Sequence, residues 1–327
     1  MLIYRIHAWA SGNRPWLCLF LGVAAWAFGQ QAAAQAAPQR PSLTPVGDGI
    51  FLVQGLSALG SAENRNFISN ASVIVTASSV VVVDALGAPA LARELMEEIR
   101  KLTPNPISHV IVTHYHADHV YGLQAFRDAG VKIIAHPLAQ VYLHSDAAQL
   151  RLQASREEMA PWVDDNTRLV AADVWVDKPT VLKIGGLEFH LKPAGPAHTP
   201  EDLVVWIPER KTLVAGDLVF RGRVPFVGQA DSGQWIHALD GLLAYEADTI
   251  LPGHGPVSSK ARQDLQLTRD YLAFLRQTMG DAARNMEPFE DAYARTDWSR
   301  FANLPLFGVA NRINAFNTYL LMEKLVP

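Results

Sequence analysis

The sequence predicts a layered α/β architecture in which sheets are covered by helices on their outer faces. Three observations lead there. Runs of β-branched residues alternate with amphipathic helical spacing through the first half, strands then cluster, and the last third is mainly helical. The polar clusters all fall at the ends of apolar strands, where connecting loops carry sites on a rigid scaffold.

Taken in order, the first forty residues differ from the rest. Arg5, His7 and Arg14 precede an apolar run over residues 16–28, and Ala34 and Ala36 follow as a small-residue cleavage signal. This predicts a secretory signal peptide over residues 1–36, cut after Ala36, with the remainder periplasmic or secreted. An uncleaved N-terminal anchor is the alternative, but the run is short for a bilayer span. No Arg-Arg pair marks a twin-arginine signal, and Leu17 before Cys18 is a poor match to a lipoprotein site. Cys18 is the only cysteine, so the mature chain is expected to have neither disulfides nor thiolate metal ligands.

Beyond a Pro-rich linker at 38–45, residues 50–53 and 72–84 read as buried strands, the latter through Val73-Ile74-Val75 and Val80-Val81-Val82-Val83. Pro89 opens a helix with Leu91, Leu95, Ile99 and Leu102 on one face, and Pro104 and Pro106 end it. Residues 109–113 form a strand that runs into a polar cluster. Further strands are expected at 131–135, 181–184, 187–191, 203–207 and 212–215, with helices near 120–129 and 138–159. Leu265, Leu272, Leu275 and Met279 mark a later helix, and another is expected over 309–325.

With 327 residues, 49% of them hydrophobic and 18% charged, the chain can bury a substantial core. Its net charge of -4 supplies no basic field for nucleic acid. A small-molecule substrate is expected instead, with no nucleic-acid partner and no stable membrane anchor; oligomeric state stays open.

The decisive segment is Thr113-His114-Tyr115-His116-Ala117-Asp118-His119, which places three imidazoles and a carboxylate within six residues directly after a strand. Neutral imidazole and carboxylate are suitable ligands for zinc and its neighbours. A turn on a rigid strand can aim alternate side chains at two nearby points. His198, Asp217 and His254 follow in Gly195-Pro196-Ala197-His198, Ala215-Gly216-Asp217 and Pro252-Gly253-His254, each at the end of an apolar run.

This HxHxDH pattern with its three later positions resembles the signature of the metallo-β-lactamase superfamily, and the likeness spans residues 46–275. The resemblance implies an α/β fold of the αββα four-layer sandwich type, with a catalytic domain over residues 37–285 and a C-terminal helical extension over 286–327. Carried across residue by residue, it implies that His114, His116 and His198 hold one metal, that Asp118, His119 and His254 hold a second, and that Asp217 bridges them. The cofactors implied are two Zn²⁺, with iron or manganese left open. Asp84 resembles an aspartate that orients ligands in the family, and Thr199 and His136 are further candidates for that role.

The expected function is that of an exported dinuclear zinc hydrolase that attacks an ester, thioester, lactone or β-lactam carbonyl with a metal-bound hydroxide, Asp118 serving also as the catalytic carboxylate that orients it. Several β-lactam-hydrolysing members place a cysteine where this chain has Asp217, and an aspartate there looks more like the thioesterase, lactonase and phosphodiesterase branches. The alternatives are an iron-dependent redox enzyme on the same fold, or a periplasmic accessory protein of a quinoprotein or sulfur oxidation system, since the chain is also similar to exported members of those groups. Residues 220–226 and Trp235 are expected to wall the pocket, with Arg221 and Arg223 suited to an anionic substrate.

Overall fold

The computed structural model of the protein describes residues 39–257 and 260–325. The expected signal peptide and Cys18 lie outside them. Among the described residues, no helix is long and apolar enough to cross a membrane.

The first half builds one sheet. Strands β1 (Thr44–Gly47), β2 (Ile50–Val53), β3 (Ala71–Val75) and β4 (Val80–Val83) pair antiparallel in sequence order. Helix α1 (Pro89–Leu102) then crosses over, so that β5 (Ile107–Ile111) joins β4 in parallel. After α2 (Ala117–Val120) and α3 (Leu123–Asp128), β6 (Lys132–Ala135) adds in parallel, and after α4 (Ala139–Leu143) and α5 (Asp146–Glu158), β7 (Val174–Trp175) closes a seven-stranded sheet. The second sheet is five-stranded, ordered β12-β11-β10-β9-β8. Its strands are β8 (Thr180–Ile184), β9 (Leu187–Pro193), β10 (Leu203–Ile207), β11 (Thr212–Phe220) and, after α6 (Ser232–Leu242), β12 (Thr249–His254), which runs parallel to β11. Helices α7 (Ala261–Arg284), α8 (Phe289–Arg295) and α9 (Phe307–Glu323) complete the chain.

Side-chain alternation along the strands creates the four layers. Val80 and Val82 of β4 pack outward with Leu91, Leu95 and Ile99 of α1, whereas Val81 and Val83 pack inward with Phe189, Val205 and Val214 of the other sheet. On β11, Leu213 and Ala215 turn outward to Trp235, Leu272 and Leu275, and Val214 turns inward. Each large aliphatic chain buried this way contributes roughly 1.5–3 kcal/mol. Strands buried on both faces read as unbroken apolar runs, which is how β4 stood out in the sequence.

Several elements depart from the sequence reading; β1, β7 and α8 had no counterpart in it, and four others bear on the site. The helix expected over 138–159 breaks in two at His144, because Ser145 caps α5 by accepting a hydrogen bond from the Ala148 N–H at 3.2 Å. The helix expected over 120–129 is likewise two short helices, meeting at Gly122, where an added Cβ would lie 1.8 Å from the Ala85 carbonyl oxygen. Strand β11 runs past residue 215 to Phe220, buried throughout. Helix α6, with Trp235, Leu239 and Leu242 buried along one face, was not expected at all.

Candidate metal centre

All seven residues singled out in the sequence converge at one edge of the sandwich, where the segments leaving β5 and β9 meet the later part of β11 and the last residue of β12. They fall into two groups: His114, His116, His198 and Asp217 in one, and Asp118, His119 and His254 in the other. In the first, His116 Nδ1 lies 3.1 Å from His114 Nε2 and 3.0 Å from His198 Nε2. In the second, Asp118 Oδ2 lies 3.3 Å from His254 Nε2 and 3.6 Å from His119 Nε2. The Asp217 carboxylate faces both, with Oδ1 at 3.2 Å from His119 Nε2 and Oδ2 at 3.4 Å from His198 Nε2 and 3.2 Å from His254 Nε2.

The orientation of the rings follows from partners on their far sides. Asp84 sits just past β4 at φ +64°, a left-handed conformation that aspartate tolerates better than branched residues do. Its carboxylate accepts from the Thr113 N–H and hydroxyl, each at 2.8 Å, and from His119 Nδ1 at 2.9 Å. With its proton committed to Asp84, the Thr113 hydroxyl oxygen accepts from His114 Nδ1 at 3.0 Å. One carboxylate thereby fixes the tautomer of two rings and leaves both Nε2 atoms aimed inward with lone pairs. His254 Nδ1 donates to the Ile68 carbonyl at 2.8 Å, which frees its Nε2 in the same way.

The backbone around His254 is drawn in by Asn70. Its side-chain amide donates to the Pro252 and Gly255 carbonyls at 2.9 and 2.8 Å, and its own N–H donates to the Gly253 carbonyl at 2.8 Å. Gly253 has to be glycine, since a Cβ there would lie 1.9 Å from Asp217 Oδ1. The His198 loop is clamped differently: buried Asp202 accepts from the Thr199 N–H and hydroxyl, both at 2.8 Å. Burial raises the Asp202 carboxyl to about 8, against the hydrogen bonds from Thr199 that favour its charged form.

Burial holds His114 and His198 neutral, the latter down at about 3, with neighbouring histidines adding to the effect and Asp217 opposing it. For His119 and His254 burial pulls the same way, but Asp217 and Asp118 overcome it and push both rings up. The carboxylates of Asp118 and Asp217 resist their own burial for the reciprocal reason and are held below the ordinary range by the histidines around them.

This donor set fits a pair of cations. Tetrahedral zinc with Zn–N near 2.0–2.1 Å separates its ligand nitrogens by about 3.3 Å, close to the spacings in the first group. His119 Nε2 and Asp217 Oδ1 are buried and face one another without a hydrogen-bond partner among the described residues. Leaving such groups unsatisfied costs roughly 1–3 kcal/mol each, and a shared cation satisfies both.

Several expected neighbours stand elsewhere. Phe220 stacks on His254 with ring centroids 5.0 Å apart, and Trp235 meets His198 edge-on at 5.0 Å. Both are buried, and they back the ligands rather than wall a pocket. Arg221 is turned away to Asp264, and Arg223 is buried among Phe220, Phe226 and the His254 ring. The expected basic wall is therefore packed behind the ligands, because the chain after β11 folds back under α9: Asn314 bonds the Val227 N–H and the Pro225 carbonyl. His136 accepts from the Leu138 N–H, and Thr199 serves Asp202; neither bonds a ligand ring. The roles of Asn70, Asp202 and the Ile68 carbonyl had no counterpart in the sequence reading: Asn70 and Ile68 act on a segment remote in sequence, and Asp202 clamps a turn three residues back that no ligand spacing marks.

Comparison with known proteins bears on this geometry. A family model described as the metallo-beta-lactamase superfamily matches residues 64–254. A metallo-beta-lactamase type 2 from Bacillus sp. (strain 170) is 30% identical over 207 residues, covering 62% of this chain and 72% of that protein. A linear primary-alkylsulfatase from Pseudomonas sp. is 25% identical over 255 residues, and there the match covers 67% of this chain but only 48% of the relative. Among solved structures, an inverting sec-alkylsulfatase from Pseudomonas sp. superposes with a TM-score of 0.69 at 21% identity, over 86% of this chain and 50% of that one. A metallo-beta-lactamase from Pontibacter korlensis gives 0.57 at 22% identity, over 72% of this chain and 99% of that one.

Proposed function

The chain belongs to the metallo-β-lactamase superfamily and is a metal-dependent hydrolase with a two-metal site; from that premise we propose an exported zinc enzyme that cleaves an ester, thioester, lactone or β-lactam carbonyl of a small molecule. The observation that carries this is the shared position of Asp217, whose two oxygens face ligands of both groups at 3.2–3.4 Å. Bound there, the cations supply Lewis-acid polarisation of the substrate and lower the pKa of water toward neutrality.

The chain's own residues supply the rest. His114, His116 and His198 would hold one cation and Asp118, His119 and His254 the other, with Asp217 between them. Asp118 lines a cavity beside the centre, and its backbone carbonyl accepts from the Ser69 hydroxyl, which fixes the turn it stands on. Its carboxylate, held ionised, accepts a hydrogen bond from the attacking water and orients it toward the substrate. Asp84 keeps the proton on His119 Nδ1, and Phe220 and Trp235 exclude water from behind the rings. Export rests on the charged, apolar and small-residue succession in the first 36 residues.

The relative named for alkyl sulfates supports a second reading, in which a sulfate ester is cleaved at the same centre. One panel separates the two: the mature protein is offered a β-lactam, a glutathione thioester, a lactone, a phosphodiester and an alkyl sulfate, with and without chelator. Chelator-sensitive turnover of a carbonyl substrate is the expected result. Turnover of the alkyl sulfate alone would replace the carbonyl reading with the sulfate one.

A further inference from the structure

Two cavities meet at His116. The larger, about 640 Å³, opens on the His198 side and is walled by Leu138, Val141 and Tyr142 opposite Pro196 and Ala197. The smaller, about 400 Å³, opens on the Asp118 side and reaches Arg151 on α5. His116 and Tyr142 line both, which makes the two a single groove passing across the ligands.

The two halves differ in chemistry. The larger half presents Leu138 and Val141, 44% and 71% exposed, so apolar surface awaits cover there. Its charged lining residues are Glu201 and Asp231, both acidic, which disfavours an anion. The smaller half carries two carboxylates as well, but Asp118 faces the ligand rings of His119 and His254, and beside Glu158 stands Arg151, the one guanidinium among the described residues lining either cavity. Its partner is Glu158 at 3.1 Å, and both side chains are near half exposed. Such an exposed pair contributes little, so Arg151 can exchange Glu158 for a ligand's anion at small cost.

We propose that the groove selects an amphiphilic substrate, its apolar body in the larger half, its anionic end at Arg151, and its scissile bond over His116. This rests on the hydrolytic reading above. It makes Arg151, Leu138 and Val141 specificity-determining residues, and places them on the α4–α5 segment rather than among the arginines that follow β11.

The test uses the metal-loaded enzyme with butanoyl and octanoyl thioesters of 3-mercaptopropionate and of its carboxamide isostere. Octanoyl is expected to exceed butanoyl in kcat/KM by about tenfold or more, and carboxylate to exceed carboxamide by roughly fivefold. Arg151→Met should bring the carboxylate-to-carboxamide ratio close to one, whereas Glu158→Gln, which frees the guanidinium, should raise it. Val141→Asp should flatten the chain-length ratio. Calorimetric binding of the non-hydrolysable thioethers S-octyl- and S-butyl-3-mercaptopropionate, and of the octyl carboxamide, is read in parallel. Turnover with flat ratios, or a charge ratio indifferent to both Arg151→Met and Glu158→Gln, overturns the groove assignment and leaves the hydrolase standing. Binding that keeps both preferences without thioester turnover supports the groove and removes the thioester from the hydrolytic reading.

Discussion

The two ligand groups are held in unequal ways. In the group of Asp118, His119 and His254, both rings donate from Nδ1 to a fixed acceptor, and the Asp118 turn is tied by Ser69. In the group of His114, His116 and His198, only His114 has such a brace; His198 Nδ1 is buried without a hydrogen-bond partner and His116 stands exposed at the junction of the cavities. The difference teaches which half faces the scaffold and which faces the substrate. Outer partners orient ligands and sharpen affinity, so the braced group is the anchor and the unbraced one the more open.

The largest effect should come from the residue that erases the distinction. Asp217→Asn is expected to lower bound metal in both groups and cut turnover by about two to three orders of magnitude; two metals retained at normal turnover would refute its shared role. Asp118→Asn touches the anchored group alone and should remove most activity while one metal stays bound, as metal analysis of the dialysed variant would report. Asp84→Ala strips the brace from His119 directly and from His114 through Thr113. A loss of roughly 10- to 100-fold in metal affinity is expected, measured by competition with a chromophoric chelator. In the native protein, the same chelator should withdraw one metal equivalent clearly faster than the other, and a single-phase loss of both would break the comparison.

The smallest effect concerns the clamp beside His198. A buried carboxyl raised to about 8 holds its proton in the folded chain where the unfolded chain has released it. Between the ordinary aspartate value and that raised one, the unfolded state binds fewer protons, so this group's contribution to stability falls as pH rises. Metal-free Asp202→Asn, which needs no such proton, should melt about 3 °C or more above the native protein at pH 8 and lose that advantage near pH 4. Asp202→Ala, which leaves Thr199 unclamped, should melt lower at both.

Much of this was legible in the residues themselves. The His114–His119 cluster is local, and the apolar run before it announces the strand that holds it. β4 and β10 are buried on both faces, so their apolar runs needed no periodicity to be recognised. What escaped depends on chain segments remote in sequence. Asn70 acts on carbonyls of residues 252 and 255, Ile68 on the ring of His254, and Asn314 on the loop that tucks Arg223 away. No spacing rule encodes such pairings. The arginines after β11 were read as a pocket wall because of their proximity in sequence to Asp217, whereas Arg151, some way along the chain, is the one beside the cavity.

The Asn70 bonds also bear on how the molecule comes together. They join positions 182 and 185 residues apart, across the seam between the halves. Contacts of that sequence separation carry a large closure entropy and form late. The edge that completes the cluster thus depends on pairings between the two ends of the fold, and a cation gripping ligands from both halves would act as a removable staple on it. Metal loading is thereby coupled to the closure of this edge, because each ligand group draws side chains from both halves.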